Sequence, residues 1–295
     1  MKSQSNIHTN PKSSRLLKLV KVAVSCALTA AMTAQAGMVS VSNYPLLLLS
    51  NAVTGESNPA QPLLGAGDVG HHGELSPSAK KLVSDSDYVV WFGGALEQNL
   101  INTLKDAPNA ISLFDFNAFH RLPLRHIDGT AQPDSFDAHI WLDPENAKAI
   151  VRALAVIHSH ANPDQAALYA QNAKDFETRM DDAVSSISLN GKTVPYWAYH
   201  DAFQYLEGSV GLSFAGALTP DHHLSPKASQ ILHLSKTRPK AHMCIASQGK
   251  VSDGIINKLG NVSTVVRQED MSDDDDFVES WLGLATEIQR CAGAS

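Results

Sequence analysis

Apolar positions along this chain follow two rhythms. Short β-branched or aromatic runs, Val39-Ser40-Val41-Ser42 and Tyr88-Val89-Val90-Trp91-Phe92, suit buried strands. Val194-Pro195-Tyr196-Trp197-Ala198 and residues 241–246 have the same character. Between the runs, helix starts are marked by a capping residue and a proline at the first helical position: Ser76-Pro77, Asp143-Pro144, Asn162-Pro163 and Ser225-Pro226. From 163 to 187 there is no glycine and no second proline. Here Ala166, Ala170, Ala173, Phe176, Met180, Ala183 and Ile187 recur at steps of three and four, one stripe on a helix about 37 Å long. After Asn190-Gly191 a second α/β pattern begins, with a helix expected around 201–207. Strands alternating with helices predict an α/β fold with mainly parallel sheets. The expected plan is two lobes, 37–161 and 190–295, joined by one long rigid α-helix over 162–189. Periodicity alone equally allows that helix to lie on the surface of one domain.

Residues 1–36 stand apart from this pattern. Lys2, Lys12, Arg15, Lys18 and Lys21 precede an apolar, small-residue run at 22–31 and then Ala34-Gln35-Ala36, with no acidic residue among them. Basic region, short apolar region and A-x-A site read as a cleaved secretory signal, so the chain is expected to be exported. The remainder is ordinary for a globular protein. Of the 295 residues 43% are hydrophobic and 18% charged, and no other run is long and apolar enough to span a membrane. The formal charge is −7, and removal of a basic leader makes it more negative. An acidic chain without basic blocks excludes nucleic acid as the expected partner and favours cations. Export also leaves two cysteines, Cys244 and Cys291. They suggest one disulfide, with a pair of buried thiols as the alternative.

The unusual number is 13 histidines. His71 and His72 precede Gly73-Glu74-Leu75-Ser76-Pro77, His139 lies in Asp137-Ala138-His139-Ile140-Trp141-Leu142-Asp143-Pro144, and His200 opens His200-Asp201-Ala202-Phe203. Each sits where one element ends and a helix begins, the place where open α/β sheets bind ligands. Neutral imidazole is the commonest metal ligand, and Glu74, Asp137, Asp143 and Asp201 could hold the second ring nitrogen. Spacing alone matches no local metal motif. The segment 115–138 has no sustained period and reads as a long loop carrying His120 and His126. His158 and His160 lie at a helix end, where a cation suits the dipole. The four acids at 273–276 read as a solvated loop.

With these motifs in view, the chain resembles the ZnuA-type zinc-binding proteins of bacterial ABC importers. The resembling segments are 71–78, 87–94 (DYVVWFGG), 137–144 (DAHIWLDP), the helix after Asn162-Pro163, and 200–207 (HDAFQYLE). The resemblance implies two α/β lobes around a long helix with the metal in the interlobe cleft. It implies His71, His139 and His200 as ligands, with His72 as the neighbour if the alignment shifts by one. It also implies the Cys244–Cys291 pairing. The chain departs from the family in having Gly70 where some zinc members have a glutamate, and Gln248 where a manganese-type glutamate is supplied. A C-terminal aspartate is another family ligand, for which Asp270 and Asp273 are the candidates. Three imidazoles suit Zn(II), whereas Mn(II) prefers carboxylates.

The reading is a monomeric periplasmic binding protein, not an enzyme. It takes Zn(II) as transported ligand and hands it to the membrane permease of an ABC transporter. The alternatives are an exported zinc-dependent hydrolase with three histidines and a water, or a binding protein of the same family for manganese or another transition metal.

Overall fold

In a computed structural model, described over residues 36–68, 75–187, 193–220 and 224–294, the first strands pair as their apolar runs suggest. The first lobe contains β1 (Val39–Val41), α1 (Tyr44–Thr54), β2 (Gln61–Pro62), α2 (Pro77–Asp85), β3 (Tyr88–Trp91), a short α3 (Ile101–Leu104) and β4 (Ala110–Ser112). Its sheet has the order β2-β1-β3-β4, with every neighbouring pair parallel. Then come α4 (Pro144–Ala161) and α5 (Ala166–Ser186). The second lobe contains β5 (Val194–Ala198), α6 (Glu207–Val210), β6 (Leu212–Ala217), α7 (Ala228–Lys236), β7 (Met243–Ser247), α8 (Asp253–Leu259) and β8 (Val262–Val266), and the chain closes with α9 (Phe277–Gly293). This second sheet is again parallel, in the order β6-β5-β7-β8. The proposed secretory signal at 1–36 falls, but for Ala36, outside the described residues.

Strand alternation explains how the lobes adhere. Val89 and Trp91 face a small outer cluster with Ala79, Val83, Leu100 and Leu104. Val90 and Phe92, pointing the other way, enter the main core. In the second lobe Trp197, Met243 and Ile245 face their own outer cluster, while Tyr196, Ala198, Cys244 and Ala246 enter that same main core. Both sheets therefore bury their inner faces in one continuous apolar mass. The long helix α5 contributes Tyr169, Ala173, Phe176, Met180 and Ala183 to it. It packs on α1 and α4 from the first lobe and on α9 from the C-terminus. Its start differs from expectation: Pro163–Gln165 is a 3-10 turn, and Tyr169 rather than Ala170 faces inward. Asn162 does not cap it, because its side chain is spent on the backbone of Gly37, at 2.9 Å to both N and O.

Ser76 and Asp143 cap their helices as predicted, accepting from Ala79 N and Glu145 N. Pro226 does not start a helix; α7 begins at Ala228, after Lys227. The expected helix at 201–207 is a 3-10 turn at Gln204–Leu206 continuing into α6, which Gly211 ends in the left-handed region at φ 67°. The C-terminal helix α9 is fastened on three sides. Trp281 Nε1 donates to Leu142 O at 2.9 Å, Arg179 grips the capping residue Asp276, and Cys291 is bonded to Cys244 on β7. That disulfide closes a separation of 47 residues, a constraint that stabilises by about 4 kcal/mol.

One buried carboxylate ties β1 to β3. Glu97, fully buried, accepts from Ser42 Oγ, from Asn43 Nδ2 at 2.8 Å and from Gly93 N at 3.1 Å. Gly93 has φ 130°, and a Cβ there would lie 2.8 Å from Ser112 Oγ, so only glycine fits this turn. Burial pushes the Glu97 carboxyl up to about 7 despite these neutral donors.

Candidate metal centre

Three side chains from distant segments converge between the lobes: His139, His200 and Glu269. One potential ligand atom from each lies within 4.8 Å of the others, and all three residues are buried. His139 precedes the 3-10 turn Ile140–Leu142 that leads into α4. His200 stands two residues beyond β5, and Glu269 three beyond β8. Both of the latter lie past the carboxyl ends of parallel strands, where open sheets leave a crevice.

Each group is oriented by a neighbour. Asp137 Oδ1 accepts from the His139 backbone N at 3.0 Å and lies 2.6 Å from His139 Nδ1. Asp137 is itself held through its carbonyl by the Tyr205 hydroxyl at 2.8 Å. A carboxylate on Nδ1 leaves Nε2 to face the centre, as in carboxylate–histidine–metal arrangements. His139 Nε2 is buried and has no hydrogen-bond partner; Glu269 Oε1 is 3.5 Å away. His200 presents Nδ1 to Gln248 Oε1 at 3.0 Å and Nε2 to Glu269 Oε2 at 3.1 Å. The Glu269 backbone is moored across the lobes, its carbonyl accepting from Trp141 Nε1 at 2.8 Å.

Electrostatics follow from this geometry. Burial opposes charge on His139, yet Asp137 and Glu269 outweigh it and hold its pKa well above the usual histidine value. Burial also opposes ionisation of Glu269, but His200 and His139 outweigh it and hold the carboxyl well below the usual range. The centre thus keeps an ionised carboxylate among imidazoles in a buried site, a donor set in which a divalent cation can take the place of protons.

The carboxylate that reaches the histidines is Glu269, not Asp270 or Asp273. Asp270 turns away to accept from Ser272 N and Oγ and from Gly67 N at 2.6 Å. Asp273 accepts from Gln268 N at 2.8 Å and lies beside Arg267. His71 and His72 fall outside the described residues, as do His222 and His223. The described chain before them ends close by, with Gly67 tied to the residue after Glu269. Glu269 lies three residues past the end of β8, one before Asp270, and its strand-end position is the signal that marks it.

The remaining histidines take other roles. His120 Nδ1 lies 2.9 Å from Asp143 Oδ2, and among the described residues it joins no second group of metal-ligating side chains. His158 is not a surface cation at a helix end. It is fully buried, its Nε2 is 2.7 Å from Ser50 Oγ, and burial pushes its pKa down to about 4. The long loop carrying His120 and His126 is strapped to the second lobe. Leu122 N donates to Tyr205 Oη at 2.9 Å, and Gln204 Nε2 donates to Pro123 O at 3.0 Å. Arg125 forks onto both Asp201, next to His200, and Glu207, with its guanidinium 4.2 Å over the Phe214 ring.

Two parallel-sheet lobes with buried imidazoles and a carboxylate between them define a two-lobed metal-binding protein. Residues 39–288 match the family described as zinc-uptake complex component A, periplasmic (ZnuA), and the chain belongs to that family. It is 26% identical over 265 residues to the high-affinity zinc uptake system protein ZnuA of Brucella abortus, spanning 75% of this chain and 79% of that one. To the protein of the same name from Haemophilus ducreyi it is 24% identical over 258 residues, spanning 77% and 82%. A crystal structure of ZnuA superposes with TM-score 0.72 at 18% identity, covering 88% of this chain and all of that one. The Zn(II)-bound ZnuA-like domain of Streptococcus pneumoniae AdcA superposes with TM-score 0.68 at 20% identity, covering 88% and 100%. These likenesses show the two-lobed fold.

Proposed function

We propose that this protein captures Zn(II) in the periplasm and delivers it to the membrane permease of an ABC importer, with His139, His200 and Glu269 as ligands and His71 completing the set. The observation that carries this reading is the convergence of two imidazoles and an ionised carboxylate, with His139 Nε2 buried and lacking a hydrogen bond. Two histidines and a carboxylate with a further imidazole suit four-coordinate zinc. The names of the curated relatives, all zinc uptake proteins, support the same cargo. Ligands drawn from both lobes suit capture and release, since a small relative movement separates them. Membership of a zinc-uptake binding-protein family supports the carrier reading over a zinc-dependent hydrolase.

The test is zinc titration of the metal-stripped protein beside His71→Ala, His139→Ala, His200→Ala and Glu269→Ala, together with a hydrolase screen of the loaded wild type. One tight site weakened by each substitution, with no turnover, is the expected result. Unchanged binding in all four variants overturns the ligand set. Binding releases protons, because His139 must give one up, so apparent affinity falls as pH falls.

A further inference from the structure

Gln248 stands one residue past β7, half-buried, and its side-chain amide is shared by both candidate ligands of the second lobe. Its Oε1 lies 3.0 Å from His200 Nδ1, and its Nε2 donates to Glu269 Oε2 at 2.7 Å. Its own backbone carbonyl accepts from Gln268 Nε2 at 2.7 Å. The end of β7 is thereby laced to the segment after β8, and the amide has little freedom to turn.

A primary amide offers an acceptor and a donor in one rigid plane. As acceptor, Oε1 takes the Nδ1 proton of His200 and fixes the tautomer whose Nε2 lone pair faces the centre. As donor, Nε2 takes up one lone pair of Glu269 Oε2, which also lies 3.1 Å from His200 Nε2, and leaves Oε1, the oxygen nearer His139, without a donor from this amide. We propose that Gln248 is a positioning residue that sets metal selectivity: it presents His200 through Nε2 and, by engaging Oε2, disfavours two-oxygen ligation by Glu269. This rests on the zinc-binding reading above. A site with one carboxylate oxygen and imidazole nitrogens keeps coordination number low. That suits Zn(II) and disfavours hard ions such as Mn(II), which take six ligands rich in oxygen. A carboxylate at 248 could accept the same Nδ1 proton. It has no N–H for Glu269, sets a second negative charge beside it, and supplies extra oxygen atoms.

The experiment compares metal-stripped wild type, Gln248→Leu and Gln248→Glu. Zn(II) and Mn(II) affinities are measured by chelator competition, and the visible spectrum of the Co(II)-loaded forms reports coordination geometry. Thermal unfolding of the metal-free proteins controls for folding. Gln248→Leu is expected to lose about 10- to 100-fold in zinc affinity, the usual cost of an outer-partner loss, with weaker Co(II) bands at unchanged stability. Gln248→Glu is expected to lower the Zn-to-Mn affinity ratio by at least about 10-fold, and it carries the test alone if the leucine variant fails to fold. A wild-type affinity ratio and Co(II) spectrum in the folded variants overturns the inference. His139→Ala measured alongside separates the two failures. If it binds zinc normally, the zinc-site reading is wrong. If it loses zinc while the glutamine variants behave as wild type, only the role of Gln248 is wrong.

Discussion

Two glutamates in this protein are equally hidden from water and behave in opposite ways. Glu97, under the first lobe's strand ends, is surrounded by neutral donors from Ser42, Asn43 and Gly93, and burial carries its carboxyl up to about 7. Glu269, between the lobes, has His139 and His200 as neighbours and is held well below the usual carboxylate range. Burial is common to both, so it cannot be what makes a carboxylate a ligand. The charge that the neighbours can carry decides it. Its neighbours leave Glu97 biased toward the neutral form, and those of Glu269 hold it as an anion.

The comparison is tested most severely by Glu269→Gln, which keeps shape and removes charge. Zinc affinity should fall about 1,000-fold, or about 4 kcal/mol, whereas Glu97→Gln should leave zinc titration within about twofold. Stability should show the reverse. The folded Glu97 pKa is raised above its unfolded value, so its contribution is fully present below the unfolded pKa and is lost as pH rises through about 7. Urea unfolding across that window should lose about 3 kcal/mol in wild type, and Glu97→Gln should flatten the slope.

His158 sharpens the contrast from the other side. Its folded pKa is depressed to about 4, so its contribution is present above the unfolded histidine pKa and is lost as pH falls toward 4. His158→Gln should remove up to about 3 kcal/mol of acid-side pH dependence, read from the same urea curves, with zinc binding at neutral pH unaltered. The smallest effect is expected from Asp137→Asn, which keeps an acceptor for His139 Nδ1 and loses the charge. Zinc affinity should drop about 10-fold; no drop would mean that Asp137 orients His139 without supporting its role as ligand.

Most of this framework is legible in the chain, for physical reasons that also mark the limit. The runs at 39–42, 88–92 and 194–198 are β-branched and aromatic because both faces of a parallel strand are covered, and the observed strands begin where the runs do. The helix α1 is harder to read: Leu46, Leu47, Leu48 and Leu49 in succession have no helical period. Asn43, whose side chain accepts from Leu46 N, is its main start signal. Asp276, read as part of a solvated acid run, caps α9 through Val278 N and Glu279 N. Glu269 and Asp270 are adjacent acids that point to different partners because they form the middle of a turn closed by Met271 N on Gln268 O at 3.2 Å, with Met271 following at φ 64°. Such a turn depends on the buried Met271 side chain and on Ser280 Oγ bonding its carbonyl. Those are tertiary facts that no local pattern carries. His139 and His200 were legible through their motifs; what joins them to Glu269 is the meeting of two lobes.

The alternate residues of both sheets end in one apolar mass, and this bears on how the molecule comes apart. A fragment ending near Ser186 would leave Val41, Val90, Phe92 and the inner stripe of α5 without the side chains of Tyr196, Ala198, Met271 and Trp281. Neither half owns a complete interior. The lobes are two in architecture and one in thermodynamics: they should melt together in a single cooperative transition.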